Sequence, residues 1–312
     1  MPKYESATQP TIYFIGVTTG SSSIMKVFPE WAKALGLSNA VIKGMDFPPH
    51  APDKDYREAV EFIKNDPLSL GALVTTHKID LYKSCKDMFS YIDPYAEQLG
   101  EVSSISKNGD LYCAHAKDPI SSGLALENFV PANYWSDYNG DVLLLGAGGS
   151  TLAMGVYFTQ EKFGDNVPKN IIVVNRSTPR LTSAKAILDD LNPKVKFSYI
   201  CNPTPAENDK TLATLKPHSL IVNATGLGKD APGSPLTDDC SFPKDSLVWE
   251  INYRGDLIFK YQAEAQAKLK NLHVEDGWIY FIHGWTQVIA EVFHINIDKP
   301  MLEKLSNIAK NV

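Results

Sequence analysis

The sequence predicts an α/β protein of two domains, and three observations carry that expectation. Strand-like and helix-like segments alternate along the whole chain, the pattern of parallel sheets covered by helices. The 312 residues suffice for two domains of ordinary size, each with a substantial core. A glycine-rich turn, Gly146-Ala147-Gly148-Gly149-Ser150, stands near mid-chain between an apolar run and an expected helix.

Taken in order, Thr11–Val17 reads as a strand and the small polar run Thr18 to Ser23 as a loop. Met25–Leu35 follows as a helix, because Val27, Phe28, Trp31 and Leu35 share one stripe. Ala40–Phe47 is a second strand, Asp55–Lys64 a helix, Gly71–Thr76 a third strand and Ile79–Lys86 a helix. A hairpin is expected around Lys107-Asn108-Gly109-Asp110, since Asn-Gly between β-prone runs makes a tight turn. Ile120–Phe129 reads as a linking helix and Pro131–Asn139 as a polar, aromatic loop. The second half supplies strands at Val142–Leu145, Ile171–Val174, Lys196–Ile200, Ser219–Asn223 and Leu247–Ile251, with helices such as Thr182–Leu191 between them. Pro203–Asn208 and Ala231–Pro243 read as proline-rich loops, and Ile279–Phe293 and Lys299–Lys310 as closing helices. The break between domains is expected near Ala116–Ser121. One domain would span residues 1–117, completed by helices in 276–312, and the other residues 118–275. Two such domains would leave a cleft where they meet.

Composition excludes several classes. Hydrophobic residues make up 44% and charged ones 21%, the balance of a soluble globular chain. A net charge of −6 without a basic stripe argues against nucleic acid as a partner. No apolar run approaches the roughly 18 residues of a spanning helix, and Met1 to Pro10 has no signal-peptide core, so no membrane is expected. Cys85, Cys113, Cys201 and Cys240 are scattered without a C-x-x-C pair, which suits reduced thiols in the cytoplasm and no metal centre.

The glycine turn is the most informative stretch. Val142–Leu145 ends at Gly146, Gly146-x-Gly148 opens a helix, and Ala153 lies one turn inside it. Glycines let the backbone approach a pyrophosphate, and the N–H groups and dipole of a helix start hold its charge. That is a Rossmann-type dinucleotide site. The next strand ends in Asn175-Arg176-Ser177, with Arg180 further on, where an NAD site usually places a carboxylate for the ribose hydroxyls. A guanidinium pairs with a 2′-phosphate and a carboxylate repels it, so the expected cofactor is NADP (NADPH).

Three polar clusters stand in the first half: Ser21-Ser22-Ser23 after the first strand, Thr75-Thr76-His77-Lys78 after the third, and His115-Ala116-Lys117-Asp118 at the domain junction. Ligands of open α/β sheets collect at the carboxyl ends of strands. Serine hydroxyls there can bind a carboxylate, and a lysine beside an aspartate can be tuned for proton transfer.

Together these motifs resemble the shikimate/quinate dehydrogenase family along nearly the whole chain. Its S-x-S pair matches Ser21 and Ser23. Its V-T-x-P-x-K matches Val74-Thr75-Thr76-His77-Lys78 with one residue fewer. Ala116-Lys117-Asp118-Pro119 occupies the place of its N-T-D-G element. The glycine turn and the Asn175-Arg176-Ser177-Thr178-Pro179-Arg180 clamp follow in family order. So do Val222-Asn223-Ala224-Thr225-Gly226, matched to an I-N-A-T element near the nicotinamide, and Glu250-Ile251-Asn252-Tyr253, matched to D-M-x-Y. The resemblance implies that Lys78 and Asp118 form the catalytic pair, with Lys117 able to help through its charge. It implies substrate contacts from Ser21, Ser23, Thr75, Ser103, Tyr253 and Gln287. It also implies cofactor contacts from Gly146, Ala147, Gly148, Gly149, Ser150, Asn175, Arg176, Ser177, Arg180, Asn223, Ala224, Thr225 and Gly226.

The departures bear on the substrate. Leu73, Ser103, Ala116 and Gly284 stand where the family carries asparagines and a glutamine, although Gln287 follows one turn after Gly284. An unmatched ligand hydroxyl costs roughly 1–3 kcal/mol, so the expected substrate is a shikimate-like cyclic hydroxy acid other than plain shikimate. His283 reads as a packed core residue that could also reach substrate. Helix-capping by Ser23 and Asp118 competes with their ligand roles. Two other functions compete with the NADP-dependent oxidoreductase: a quinate-type NAD dehydrogenase, and a non-catalytic ligand or nucleotide sensor of the same fold. Homodimers are common for such folds, and no residue demonstrates one here.

Overall fold

The computed structural model describes residues 4–189, 191–229 and 231–312. The chain divides into two compact units. One comprises residues 1–117 and 284–312, the other residues 118–283.

The first unit runs β1 (Thr11–Gly16), α1 (Ile24–Ala34), β2 (Val41–Asp46), α2 (Asp53–Asn65), β3 (Ser69–Val74), α3 (Lys78–Cys85), β4 (Tyr91–Ile92), α4 (Pro94–Leu99), β5 (Ser104–Asn108) and β6 (Leu111–His115). Its sheet has the order β2-β1-β3-β5-β6-β4. β2, β1 and β3 are parallel, β5 pairs antiparallel with β3 and β6, and β4 lies parallel to β6. The sheet is therefore mixed rather than purely parallel. The hairpin forms as expected, but Asn108 is the last strand residue, paired with Leu111, and Gly109 supplies the positive φ of the two-residue turn. The core on one side of this sheet gathers Ile15, Tyr56, Val60, Ala72, Leu81 and Ile105.

The second unit runs α5 (Asp118–Phe129), α6 (Tyr134–Tyr138), β7 (Val142–Leu145), α7 (Gly149–Phe158), β8 (Asn170–Asn175), α8 (Thr178–Leu188), β9 (Lys196–Cys201), α9 (Pro205–Leu212), β10 (Leu220–Asn223), β11 (Leu247–Glu250), α10 (Ile258–Lys270) and β12 (His273–Glu275). Helix α11 (Trp278–Phe293) crosses from residue 283 to 284, where the division between units falls, and α12 (Lys299–Lys310) ends the chain. The second sheet is entirely parallel, in the order β12-β11-β10-β7-β8-β9. Counted within this unit the strands run 6-5-4-1-2-3, the doubly wound order whose direction reverses between the first strand, β7, and the fourth, β10. Its strands are buried along their length at β7, β10 and β11, as a sheet covered on both faces requires.

Two loops expected from the sequence are helical. Pro131–Asn139 contains α6, begun at Asn133 and ended at Asn139, both left-handed. Pro203–Asn208 contains the start of α9, where Thr204 and Glu207 form a capping box and Pro205 takes the first helical position. Proline there starts a helix rather than breaking one. Among the described residues, no helix is long and apolar enough to cross a membrane.

Candidate functional site

The glycine turn sits at the point where the second sheet reverses direction. Its first residue, Gly146, has a φ of +107°. Its N–H donates to the Val174 carbonyl at 2.7 Å, and Thr151 Oγ1 donates to its carbonyl at 2.7 Å. A Cβ at Gly146 would stand 2.7 Å from the Ala224 carbonyl oxygen, so only glycine fits. Gly148 differs. Its φ of −94° is ordinary, it precedes α7 without a side-chain cap, and a Cβ placed there meets nothing within 4 Å. The uncapped N–H groups of α7 thus start beside space that the protein leaves open, an arrangement able to accept an anion. Gly149 and Ser150 form the half-buried first turn of α7, and Ala147 is buried.

β8 delivers the second part. Asn175 Nδ2 donates to the Ser177 carbonyl and to Ser177 Oγ, both at 3.1 Å, which shapes the turn into α8. Arg176 and Arg180 flank that helix start. Both are exposed, and neither makes a hydrogen bond or ion pair with the described residues. Two unpaired cations beside a positive helix end oppose its dipole, and a bound anion would relieve both charges. From β10, Asn223 is wholly buried, Ala224 N–H donates to the Leu145 carbonyl at 2.8 Å, Thr225 is half-buried and Gly226 is exposed. Tyr253 lies after β11. Its ring stacks on Phe281 at 4.3 Å, with the Arg254 guanidinium 5.6 Å from its centroid. In α11, burial pushes His283 down to about 4, so it is neutral at physiological pH.

In the first unit, the loop after β1 is pinned by Thr19, whose N–H and Oγ1 donate to Asp46 Oδ1 at 2.8 and 2.6 Å. Ser21 is exposed and its hydroxyl donates to the Thr18 carbonyl at 2.9 Å. Ser23 stands at the capping position of α1, yet it is already helical and makes no cap bond. The competing cap role is therefore not one that Ser23 fills. Thr75 is half-buried, with N–H and Oγ1 both turned to the Ile15 carbonyl at 3.0 and 3.3 Å.

Lys78 is half-buried and opens α3. Its backbone is held on both sides, N–H to the Thr75 carbonyl at 3.3 Å and carbonyl from Val102 N–H at 3.0 Å. The preceding His77 is fully buried, with Nδ1 2.8 Å from the Tyr56 hydroxyl and its ring edge-on to Phe47. This histidine therefore anchors the turn that carries Lys78.

Asp118 opens α5 and is the first residue of the second unit. Ser103, three per cent exposed, accepts the Lys117 N–H at 2.7 Å and donates to the His115 carbonyl at 3.5 Å. Its hydroxyl is used to tie the segment 115–117. Lys117 Nζ is bonded to Glu291 Oε2 at 2.7 Å, so its charge is committed within the first unit. Glu291 Oε1 lies 3.2 Å from His115 Nε2, and Asp93 Oδ2 lies 3.4 Å from His115 Nδ1. The His115 contact, with that of Lys117, holds the Glu291 carboxyl well below the usual carboxylate range. Burial opposes a charge on His115, but Asp93 and Glu291 outweigh it and raise its pKa. Sequence reading missed Glu291 and Asp93, because their partners are remote in the chain. Leu73 and Ala116 are buried, Gly284 leaves open space around a would-be Cβ, and Gln287 is half-buried one turn further along α11.

No protein-family model matches the chain. In sequence it is similar to two proteins named shikimate dehydrogenase (NADP(+)). The one from Nitrosopumilus maritimus is 26% identical over 243 residues, covering 78% of this chain and 80% of that protein. The one from Streptococcus thermophilus is 23% identical over 227 residues, 72% of each. In fold it matches quinate dehydrogenase from Corynebacterium glutamicum, solved with NAD, at a TM-score of 0.76 and 17% identity, covering 97% of this chain and 99% of that one.

Proposed function

We propose that the chain is an NADP-dependent oxidoreductase of the shikimate-dehydrogenase type, which interconverts a secondary alcohol and a ketone on a shikimate-like cyclic hydroxy acid. The observation that carries this reading is the glycine turn at the reversal point of a doubly wound sheet, with open space at Gly148 and, between the end of β8 and the first turn of α8, two guanidinium groups without a partner among the described residues. The sequence similarity to NADP-dependent shikimate dehydrogenases supports it.

The residues present fit the cofactor. The N–H groups at the start of α7 would hold the pyrophosphate, and Arg176 with Arg180 would hold the ribose 2′-phosphate. Turn 223–226 would border the nicotinamide. NADP, when bound, accepts or donates the hydride.

In this reading the first unit supplies most of the substrate contacts and the second unit the cofactor contacts. Ser21 and Ser23 would bind the substrate carboxylate, with Thr75, Ser103, Tyr253 and Gln287 around the ring. Lys78 would take the hydroxyl proton during oxidation and return it during reduction, while Asp118 hydrogen-bonds the reacting oxygen. A free lysine titrates near about 10.4. Lys78 holds the first position of α3, at the carboxyl end of β3. Open space at Gly284 and the apolar Leu73 favour a substrate with fewer or differently placed hydroxyls than shikimate. We place the enzyme in the cytoplasm, in keeping with its unpaired cysteines.

The reading is tested by titrating the protein with NADPH and with NADH. Tight NADPH binding and much weaker NADH binding are expected; no binding of either would refute it.

A further inference from the structure

The ends of β10 and β11 hold a buried carboxylate that the reaction itself does not use. Asn223 and Glu250 are register partners on the two strands, and both are wholly buried. The Glu250 carboxylate accepts Asn223 Nδ2–H at 2.7 Å, Asn252 Nδ2–H at 2.7 Å and the Asn252 backbone N–H at 2.9 Å. An ionised carboxylate only accepts, so it dictates which end of each amide faces it. Asn223 must then turn its Oδ1 the other way, where it accepts from Thr225 N–H at 3.0 Å and from Thr225 Oγ1 at 2.6 Å. Thr225 Oγ1 in turn accepts the Leu227 N–H at 3.2 Å. Asn252 Nδ2 also reaches the carbonyls of Thr225 and Leu227 at 3.2 and 3.3 Å. The turn 223–227 is thus shaped by two amides whose orientation one carboxylate sets.

That turn also faces the glycine turn, since the Ala224 carbonyl is the atom that forbids a Cβ at Gly146. We propose that Glu250 is a positioning residue for nucleotide binding: its carboxylate orients Asn223 and Asn252 and so fixes the turn 223–227 that borders the nicotinamide. The inference rests on the dinucleotide reading above. Burial pushes Glu250 up to about 7, with Asp276 adding repulsion and the bonds from Asn252 and Asn223 pulling the other way. The other groups bonded to it, Asn223 and Asn252, are neutral. Protonation near neutrality would turn an acceptor into a donor and leave the amide N–H groups competing for one oxygen.

The experiment titrates the full chain and its Glu250→Gln and Glu250→Asp variants with NADPH and with NADH, from below to above neutrality. Hydrogen exchange of residues 223–227 is followed in parallel. The unaltered protein should bind both nucleotides more tightly as pH rises through about 7. Glu250→Gln should weaken both by the same factor, about tenfold, flatten the pH dependence and expose the Thr225 and Leu227 amides to exchange. Glu250→Asp, keeping a carboxylate, should recover part of the affinity and the pH dependence. Unchanged affinity, pH profile and exchange in Glu250→Gln overturn the inference while leaving the cofactor reading intact. Failure of the unaltered protein to bind either nucleotide overturns both. If Glu250→Gln does not fold, a pH-independent NADH affinity in the unaltered protein overturns the inference by itself.

Discussion

A Cβ on Gly146 would lie 2.7 Å from the carbonyl oxygen of Ala224, so two turns at the head of neighbouring parallel strands meet backbone to backbone. Next to this contact, Gly148 has room around it. One glycine is therefore required by the fold, whereas the other has open space around it.

Substituting each glycine separates these roles. Gly146→Ala combines a disfavoured φ with a backbone collision and should cost roughly 2–4 kcal/mol, read as a lower melting temperature. Gly148→Ala should change stability by less than about 1 kcal/mol, while its methyl fills the open space and weakens NADPH binding at least about tenfold. Equal losses of stability in the two variants would contradict this assignment.

Arg176→Ala should raise the NADPH dissociation constant by roughly 10- to 100-fold, the worth of a charged hydrogen bond to phosphate. NADH binding should be unaffected, because that nucleotide lacks the 2′-phosphate. The same measurements on Arg180→Ala should give the same direction with a smaller effect, since α8 places it a turn away. A proportional loss of NADH binding would mean that Arg176 supports the turn rather than the phosphate.

Lys78→Met should lower kcat by roughly 10²- to 10⁴-fold with nucleotide affinity unchanged, as removal of a general base does. Full activity in Lys78→Met would move proton transfer to another group.

The His115–Glu291–Lys117 cluster makes stability depend on pH in a defined window. Glu291 is held below its ordinary 4.5, so its contribution is present above 4.5 and lost as pH falls. His115 is held above its ordinary 6.5, so its contribution is present below 6.5 and lost as pH rises through the higher folded value. Melting temperature should therefore be highest between these limits. Glu291→Gln should lower it there, by roughly 2–3 kcal/mol of stability, and flatten the profile on the acid side. A profile identical to the parent's would show the cluster to be energetically silent.

Local signals made most of the fold legible. The apolar runs Val142–Leu145 and Ile171–Val174 are strands because buried parallel strands are continuous apolar stretches, and the structure places both centrally. α9 is equally written in the chain, as Thr204-Pro205 followed by Glu207, although the proline-rich composition of 203–208 reads as a loop. The mixed sheet of the first unit was not legible, because antiparallel pairing of β5 with β3 is a long-range choice. The site divides the same way. Gly146, Arg176 and Lys78 lie next to the strand or helix ends that give them meaning. Glu250 acquires its role only from its register with Asn223, and Glu291 only from contact with Lys117 and His115, far apart in sequence.

The central claim is tested most directly by following NADPH formation with NADP and a panel of cyclic hydroxy acids that includes shikimate and quinate. The unaltered protein and Lys78→Met are compared, with NAD run in parallel. The account predicts turnover of at least one acid that is strongly selective for NADP and is lost in Lys78→Met. No turnover of any acid, together with no binding of NADPH, would contradict it.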